Sequence, residues 1–330
     1  MSLRLEMLQV ARLAPKVLGE SAELVRDFLL RQQNDDGGFK DRAGQSDLYY
    51  TVFGLDSLLA LRAEIPIDQT RVFLQQFGPG QGLDLVHLCC LARCWTALEN
   101  LNQAARDFLP AGVRNEILHG IENHRSQNGG YHPARDSDFG TAYGCFLALG
   151  AYQDLKIELP ISGRLALCLK SLETGDGAWT NSIPVHSDRF VPGSAPGLSQ
   201  VDSSVQHSAR RIPHSAVGST NATAAAVTVL RQLSAPIPAK VGDWLLARCH
   251  PQGGFLAAPQ APIPDLLSTA TALHALAGLQ VSFESVREKC LDFVDSLWTN
   301  EGAFHGHWSD DTLDCEYTFY GLLALGHLSL

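Results

Sequence analysis

The sequence predicts an all-α fold: about six helical hairpins arranged as a ring, with an inner and an outer layer of helices. Three observations carry this. A polar turn ending in Gly-Gly-aromatic or a close variant recurs along the chain, followed by a stretch rich in small apolar residues. Those following stretches, such as TVFGLDSLLAL, STATALHAL and YTFYGLLAL, carry almost no charge, and a helix apolar all round must be buried all round. Segments before the turns, such as SAELVRDFLLRQQ, place apolar residues at helical spacing with charges between them, as an outer layer requires.

Taken in order, the first repeat is RQQNDDGGFKDRAGQSDLYYTVFGLDSLLAL, anchored on Phe39. The next anchors are Tyr131, Trp179, Phe255 and Phe304, at gaps of 92, 48, 76 and 49 residues. Because 92 is twice 46, one degenerate copy belongs between the first two, and FGPGQGLDLVHLCCLARCWTAL fills that place. The gap of 76 is one period plus an insertion at about 181–218, rich in Ser, Pro and Gly. Each period of about 48 residues holds two helices and their turns. The turn glycines supply positive φ, and an Asp, Ser or Thr caps each inner helix. Closure into an α/α toroid over residues 1–330 is the expected arrangement, with an open solenoid as its competitor.

Composition narrows the function. Apolar residues at 45% against 18% charged supply a large core, and a net charge of -10 argues against a nucleic-acid surface. Eight cysteines sit mostly inside apolar runs such as VHLCCLARCW, the pattern of reduced core thiols in a cytosolic protein. The opening MSLRLEMLQVARLAPKV interrupts its apolar residues with Arg, Glu and Lys, so no export signal is read there. No stretch approaches the length of a transmembrane helix.

The repeat of a polar residue, Gly-Gly-Phe, then Asp before a small-rich helix resembles that of protein prenyltransferase β subunits and squalene cyclases, from about residue 20 onward. The resemblance implies an isoprenoid-type ligand in a central funnel and, in the transferase branch, zinc held by an Asp-x-Cys and a later His. Here the Asp is Asp265, the Cys position is Leu267, and the His position is Tyr317 in Asp314-Cys315-Glu316-Tyr317-Thr318. Residues 256–264, LAAPQAPIP, hold none of the cations that bind a prenyl diphosphate in the family. Ser219 and Gly140 stand where the family has a diphosphate-binding His and an Arg, and Ser268 replaces a Tyr. In the cyclase branch Asp-x-Asp-Asp-Thr donates the proton, and the same Leu267 takes the central Asp position. Zinc is therefore the one cofactor the resemblance raises, and the standard ligand set does not support it.

Other groups remain for chemistry. If the inner helices all start at one rim, that rim collects Asp47, Tyr50, Asp84, His87, Asp136, Asp138, Asp265, Asp314, Cys315 and Glu316. As N-caps the Asp residues need no further role. Asp265, Asp314, Asp138 and Tyr317 are nonetheless the candidate catalytic groups, and Asp265, Cys315 and His87 a candidate relocated metal set. His305-Gly-His307 with Asp310 and Asp311 has a metal-like local spacing but reads more simply as a solvated loop. Candidate ligand-binding residues are Tyr50, Phe53, Tyr143, Phe146 and Phe319 on inner helices, with Arg210 and Arg211 in the insertion, which also carries Arg189, His186, His207 and His214. Inner-wall aromatics, including Tyr49 and Tyr320, cluster in repeats one, three and six, while repeats four and five offer Ala, Ser and Thr. Such an asymmetry leaves an apolar cavity on one side of a funnel.

The leading reading is a prenyltransferase-β-like chain that binds an isoprenoid or similar apolar ligand, without support for zinc-dependent transfer. Two rivals stay open. One is a non-catalytic module that pairs with a helical protein partner, as prenyltransferase β subunits do. The other is a terpenoid-cyclase-like or glycan-active enzyme, the latter using paired carboxylates and Trp179, Trp298 or Trp308 as platforms.

Overall fold

A computed structural model describes residues 1–101, 109–181 and 217–330. Arg210, Arg211 and the rest of the insertion between 181 and 217 lie outside the described residues. Two short helices, α1 (Leu3–Ala11) and α2 (Pro15–Leu18), precede the first hairpin. The outer helix α3 (Ser21–Arg31) leads through the strands β1 (Phe39–Lys40) and β2 (Ser46–Asp47) into the inner helix α4 (Leu48–Leu61). The order then continues as α5 (Ile67–Gln75) and α6 (Leu85–Leu101), α7 (Ala111–Glu122) and α8 (Ala142–Asp154), α9 (Ser162–Ser171) and α10 (Thr220–Gln232). The last two pairs are α11 (Val241–Leu246) with α12 (Leu266–Gly278) and α13 (Glu284–Ser296) with α14 (Cys315–Leu328).

Among the described residues, six even-numbered helices, α4 to α14, form the inner layer. Each packs on the next, and α14 returns to pack on α4, so the ring is closed as expected and the solenoid alternative falls. The two layers follow from patterning. Helix α3 buries one stripe, Val25, Phe28 and Leu29, whereas α4 buries residues on every side.

One device recurs from hairpin to hairpin. The aromatic anchors Phe39, Tyr131, Trp179, Phe255 and Phe304 are all essentially without exposure. The carbonyls of Tyr131, Trp179 and Phe255 accept hydrogen bonds from the backbone N–H of Thr141, Ser219 and Asp265, each the N-cap of the following inner helix. In the first repeat, Phe39 pairs with its N-cap Asp47 across a short antiparallel ladder. The anchor N–H is taken by a threonine one turn into the helix: Phe39 by Thr51 at 3.0 Å, Trp179 by Thr223 at 3.0 Å and Phe255 by Thr269 at 2.9 Å. Thr51, Thr269 and Thr318 pass their own hydroxyl protons to the N-cap carbonyls of Asp47, Asp265 and Asp314. The turn glycines make this reversal reachable. Gly37 and Gly253 have φ of 93° and 92°, and a side chain there would strike the carbonyls of Gln69 and Lys289 on the adjacent outer helices.

The Asp residues at the inner helix starts are N-caps. Asp47, Asp84, Asp265 and Asp314 accept from backbone N–H groups within 3.2 Å, and Thr141 and Ser219 do so in the other two helices. Asp136 and Asp138 do not share this role: α8 begins at Ala142, and both are exposed in the preceding turn. Neighbouring first turns are also tied to one another. His87 of α6 binds Asp47 through Nε2 at 3.1 Å and Asp84 through Nδ1 at 2.8 Å. The Asp47 hydrogen bond, opposed by burial and reinforced by Asp84, raises the imidazole to about 9, so it is a cation held between two carboxylates.

Helix α1 is the element that sequence patterning did not assign to the ring. It lies across the end where the inner helices finish. Leu3 N–H donates to Gln153 Oε1 at 2.8 Å, Arg4 Nε donates to Asp56 Oδ1 at 3.0 Å, and Glu6 pairs with Arg231 at 2.8 Å. Gly326 of α14 leaves room for the carbonyl of Val10. Among the described residues no helix is long and apolar enough to cross a membrane.

Two stability outcomes follow. Thr269→Val removes the acceptor of a fully buried N–H, so denaturant unfolding should show a loss of about 1–3 kcal/mol, with Thr269→Ser losing much less. Equal stability of the two variants would remove the threonine from its role. His87 has its folded value raised above the ordinary imidazole value, so its stabilisation is complete below about pH 6.5 and is lost as pH rises through about 9. The Tm difference between the wild type and His87→Gln should therefore shrink steadily between pH 7 and pH 10; a pH-independent difference would contradict the clamp.

Candidate functional site

The lumen is built from one face of each inner helix, read every three or four residues. Tyr49, Val52 and Phe53 come from α4, Cys89, Cys90 and Arg93 from α6, and Tyr143, Phe146, Leu147, Gly150 and Asp154 from α8. Across from them, Asn221, Ala224, Ala225 and Thr228 come from α10, and Leu267, Thr271 and His274 from α12. These faces enclose a chamber of about 300 Å³ and, beside it, a void of about 70 Å³. Met7 of α1 and the rings of Tyr49, Tyr143, Phe146 and Tyr320 border both.

The chamber is lopsided, with aromatic side chains on one wall and Ala, Thr, Asn and Leu on the other. The aromatic wall is a packed cluster. Phe53 lies 4.9 Å from Tyr49, 5.7 Å from Phe319 and 5.5 Å from Tyr320 between ring centroids, in edge or tilted geometry.

Of the expected ligand residues, Tyr143 and Phe146 line both compartments, and Phe53 and Phe319 line the smaller one. Tyr50 does not line either; its neighbour Tyr49 does. Tyr50 turns to the rim, where burial pushes its phenol to about 12, aided by Asp314 and opposed by Arg42. Helical periodicity identifies a face only once the phase is known, and the capping geometry at Asp47 sets that phase.

The expected catalytic residues are distributed along the rim rather than gathered. Asp265 caps α12, and burial raises its carboxyl against the pull of Ser268. Asp314 caps α14 and accepts from Arg42 Nε at 3.0 Å; burial raises its carboxyl despite that partner. The Arg42 guanidinium also lies 5.3 Å from the ring centroid of Tyr317, whose phenol packs against Gly306. Asp138 is an exposed turn residue whose carbonyl accepts from Asn128 N. Glu316 reaches the aromatic wall from the rim, accepting from the Tyr49 hydroxyl at 2.6 Å, and burial raises it.

The geometry does not fit zinc at the suggested sets. Leu267 presents an alkyl chain to the chamber at the position of the family's thiolate or acid. Cys315 is fully buried and burial pushes its thiol up, while both ring nitrogens of His87 are already taken by Asp47 and Asp84. Among the described residues no three His, Cys, Asp or Glu side chains converge as a metal site requires. The side chains of His305 and His307 hydrogen-bond locally, with Thr312 and Ser309, and His307 acts on Asp265 only through its charge. The platform aromatics of a glycan site are equally scattered: Trp179 is buried, Trp298 packs on Phe304, and Trp308 is the exposed one.

Patterning did not single out the polar groups at the closed end. Below the aromatics, Asp56 accepts from Arg4 and pairs with Arg93 at 2.6 Å, and Asp154 lies beside them. Burial, working against Arg4 and Arg93, raises Asp154 to about 6. On the other side His274 and His327 share a buried contact of 3.1 Å between Nδ1 and Nε2. All of these except Arg4 lie in the later turns of their helices, one further step along the lumen face; only α1 reveals that they close its floor.

Comparisons with known proteins agree with this architecture. No curated protein matches the sequence. Among solved structures, a variant of the type II terpene cyclase MstE from Scytonema, in complex with geranylgeranyl dihydroxybenzoate, has a TM-score of 0.58 at 13% identity and covers 96% of this chain and 97% of its own. A protein from Actinoplanes has a TM-score of 0.56 at 14% identity, covering 94% and 99%. Candida albicans protein geranylgeranyltransferase-I complexed with GGPP has a TM-score of 0.47 at 14% identity, covering 98% and 82%. The family model for the prenyltransferase alpha-alpha toroid domain matches residues 13–87 and 214–329, more than half of the chain. With the inner ring closed and more than half of the chain matched by that model, the chain belongs to the prenyltransferase alpha-alpha toroid domain family.

Proposed function

We infer that the chain binds an isoprenoid or a similarly elongated apolar ligand in the lumen, without zinc-dependent transfer chemistry. One observation carries this: the chamber of about 300 Å³ has a packed aromatic wall facing a wall of Ala224, Ala225, Thr271 and Leu267. A pocket of that kind rewards hydrocarbon, each methylene withdrawn from water contributing about 0.8 kcal/mol. Rings supply dispersion contacts on one side, and the small residues opposite leave the room. Leu267 extends this surface where a polar ligand or acid would interrupt it.

The carboxylates of Asp265, Asp314 and Glu316 belong to the rim under this reading. They hold the first turns of α12 and α14 and give the mouth an acidic border. Arg42, already engaged by Asp314 and Asp310, serves that border rather than a free diphosphate. The chain's eight free cysteines suit a reducing compartment, and the cytoplasm is our placement for it.

The test fills the small wall. Ala225→Phe adds a ring where the chamber has space, so affinity for farnesol, read by displacement of a fluorescent apolar probe, should fall about tenfold or more while Tm changes little. Unchanged affinity in a folded variant would place the ligand elsewhere or remove it.

A further inference from the structure

The closed end of the lumen contains a polar set that ring packing alone does not explain. Arg4 from α1, Asp56 from α4, Arg93 from α6 and Asp154 from α8 meet there, and all but Asp56 border the void of about 70 Å³. Asp56 is paired with both cations: its Oδ1 accepts from Arg4 Nε at 3.0 Å, and its Oδ2 lies 2.6 Å from Arg93 in an ion pair without hydrogen-bond geometry. Asp154 is different. Its residue is only 5% exposed, it borders the void, and its carboxylate accepts a hydrogen bond from no described residue. Thr96 binds its backbone carbonyl, not its side chain. Arg93 Nε is likewise buried without a partner. Buried polar groups in folded proteins are nearly always satisfied, so an unsatisfied acceptor beside a cavity calls for an occupant.

Charge selects the occupant. Two arginines and two carboxylates make a neutral quartet, and Asp154, at about 6, is ionised at neutral pH and above. An anionic end would meet the Asp154 carboxylate, and a cationic end would meet Arg4 and Arg93. A neutral hydroxyl can donate to the free carboxylate and accept from a guanidinium without changing the charge of the site. The void of about 70 Å³ also has room for several waters, the alternative occupant.

The geometry points to an anchoring subsite in which Asp154, flanked by Arg93 and Arg4, holds the hydroxyl end of a chain alcohol whose hydrocarbon lies along the aromatic wall. The proposal rests on the chamber reading above and adds orientation to it: the ligand's oxygenated end lies deep, against α1, and its hydrocarbon reaches back toward the rim. The subsite also gives α1 a functional role, since Arg4 comes from that helix.

Farnesol and the hydrocarbon farnesene, each displacing the same fluorescent probe from the full chain at pH 8, decide the matter. A hydroxyl is harder to withdraw from water than a methyl, so an apolar chamber without an anchor binds farnesene more tightly. With the anchor, wild-type protein should prefer farnesol by about tenfold or more. Asp154→Leu should abolish or reverse that preference while keeping farnesene affinity, which also reports an intact chamber. Asp154→Asn, still able to accept, should retain most of it. Asp154→Ala carries the same expectation as the leucine variant and serves where leucine does not fold. Equal or tighter farnesene binding by the wild type overturns the anchor alone and leaves water as the occupant. A preference that survives in Asp154→Leu or Asp154→Ala moves the hydroxyl to the rim and also overturns it. Failure of either probe to bind removes the chamber reading and the anchor together.

Discussion

Everything in this ring depends on where the inner helices start, and in three of the six, α4, α10 and α12, a threonine-bridged turn fixes that. A buried aromatic exchanges backbone hydrogen bonds with the N-cap residue and with a hydroxyl one turn into the helix. Backbone N–H groups buried without partners are costly, so the arrangement is enforced rather than merely allowed. It places the anchor ring against the helix it precedes: Gly54 and Gly321 lie directly over Phe39 and Phe304, where a larger residue would collide. Repeated around the chain, the device brings the capped ends of the inner helices to one rim and leaves their uncapped ends at the other.

That polarity divides the lumen into three zones. Caps and their partners, among them Asp47 with His87 and Asp314 with Arg42, make the rim acidic. The middle is apolar because it is the buried face of helices that have no exposed face. The far end, lacking capping side chains, is closed by α1 and by buried ion pairs. Burying Arg4 against Asp56 is not in itself strongly stabilising, because desolvation offsets most of the attraction. Its effect is positional: the buried charges have few alternative partners, which sets the register of α1 across the ring.

Much of this was legible in the sequence. The anchor spacing predicted the hairpins, the missing charge predicted the inner layer, and the split between aromatic and small repeats predicted a lopsided chamber. Leu267 and Tyr317 were visible as departures before any geometry was known. Other features were not legible for identifiable reasons. Tyr49 rather than Tyr50 faces the chamber because the cap at Asp47 sets the helix phase, and a run of consecutive aromatics hides phase. Asp138 looked like a helix-start acid because Asp is a common cap, yet Thr141 takes that place. Arg4 and Asp154 are 150 residues apart, and nothing local in either segment announces that they share a floor.

Leu267 is best understood together with that floor. An ionisable group in the middle of the lumen would need a partner, and the surrounding walls offer Ala, Thr and aromatic carbon. Leucine at 267 removes the demand, and polar character is left at the two ends, where caps and ion pairs can satisfy it. A lumen organised this way discriminates by position as well as by hydrophobicity: hydrocarbon is favoured along its middle, while a polar atom is tolerated only at the rim or the floor. The floor is neutral in sum and the rim is acidic, so the two ends differ in the charge they accept. An elongated ligand with one oxygenated end therefore has two non-equivalent orientations in this ring, and the unpaired carboxylate of Asp154 is the feature that separates their energies.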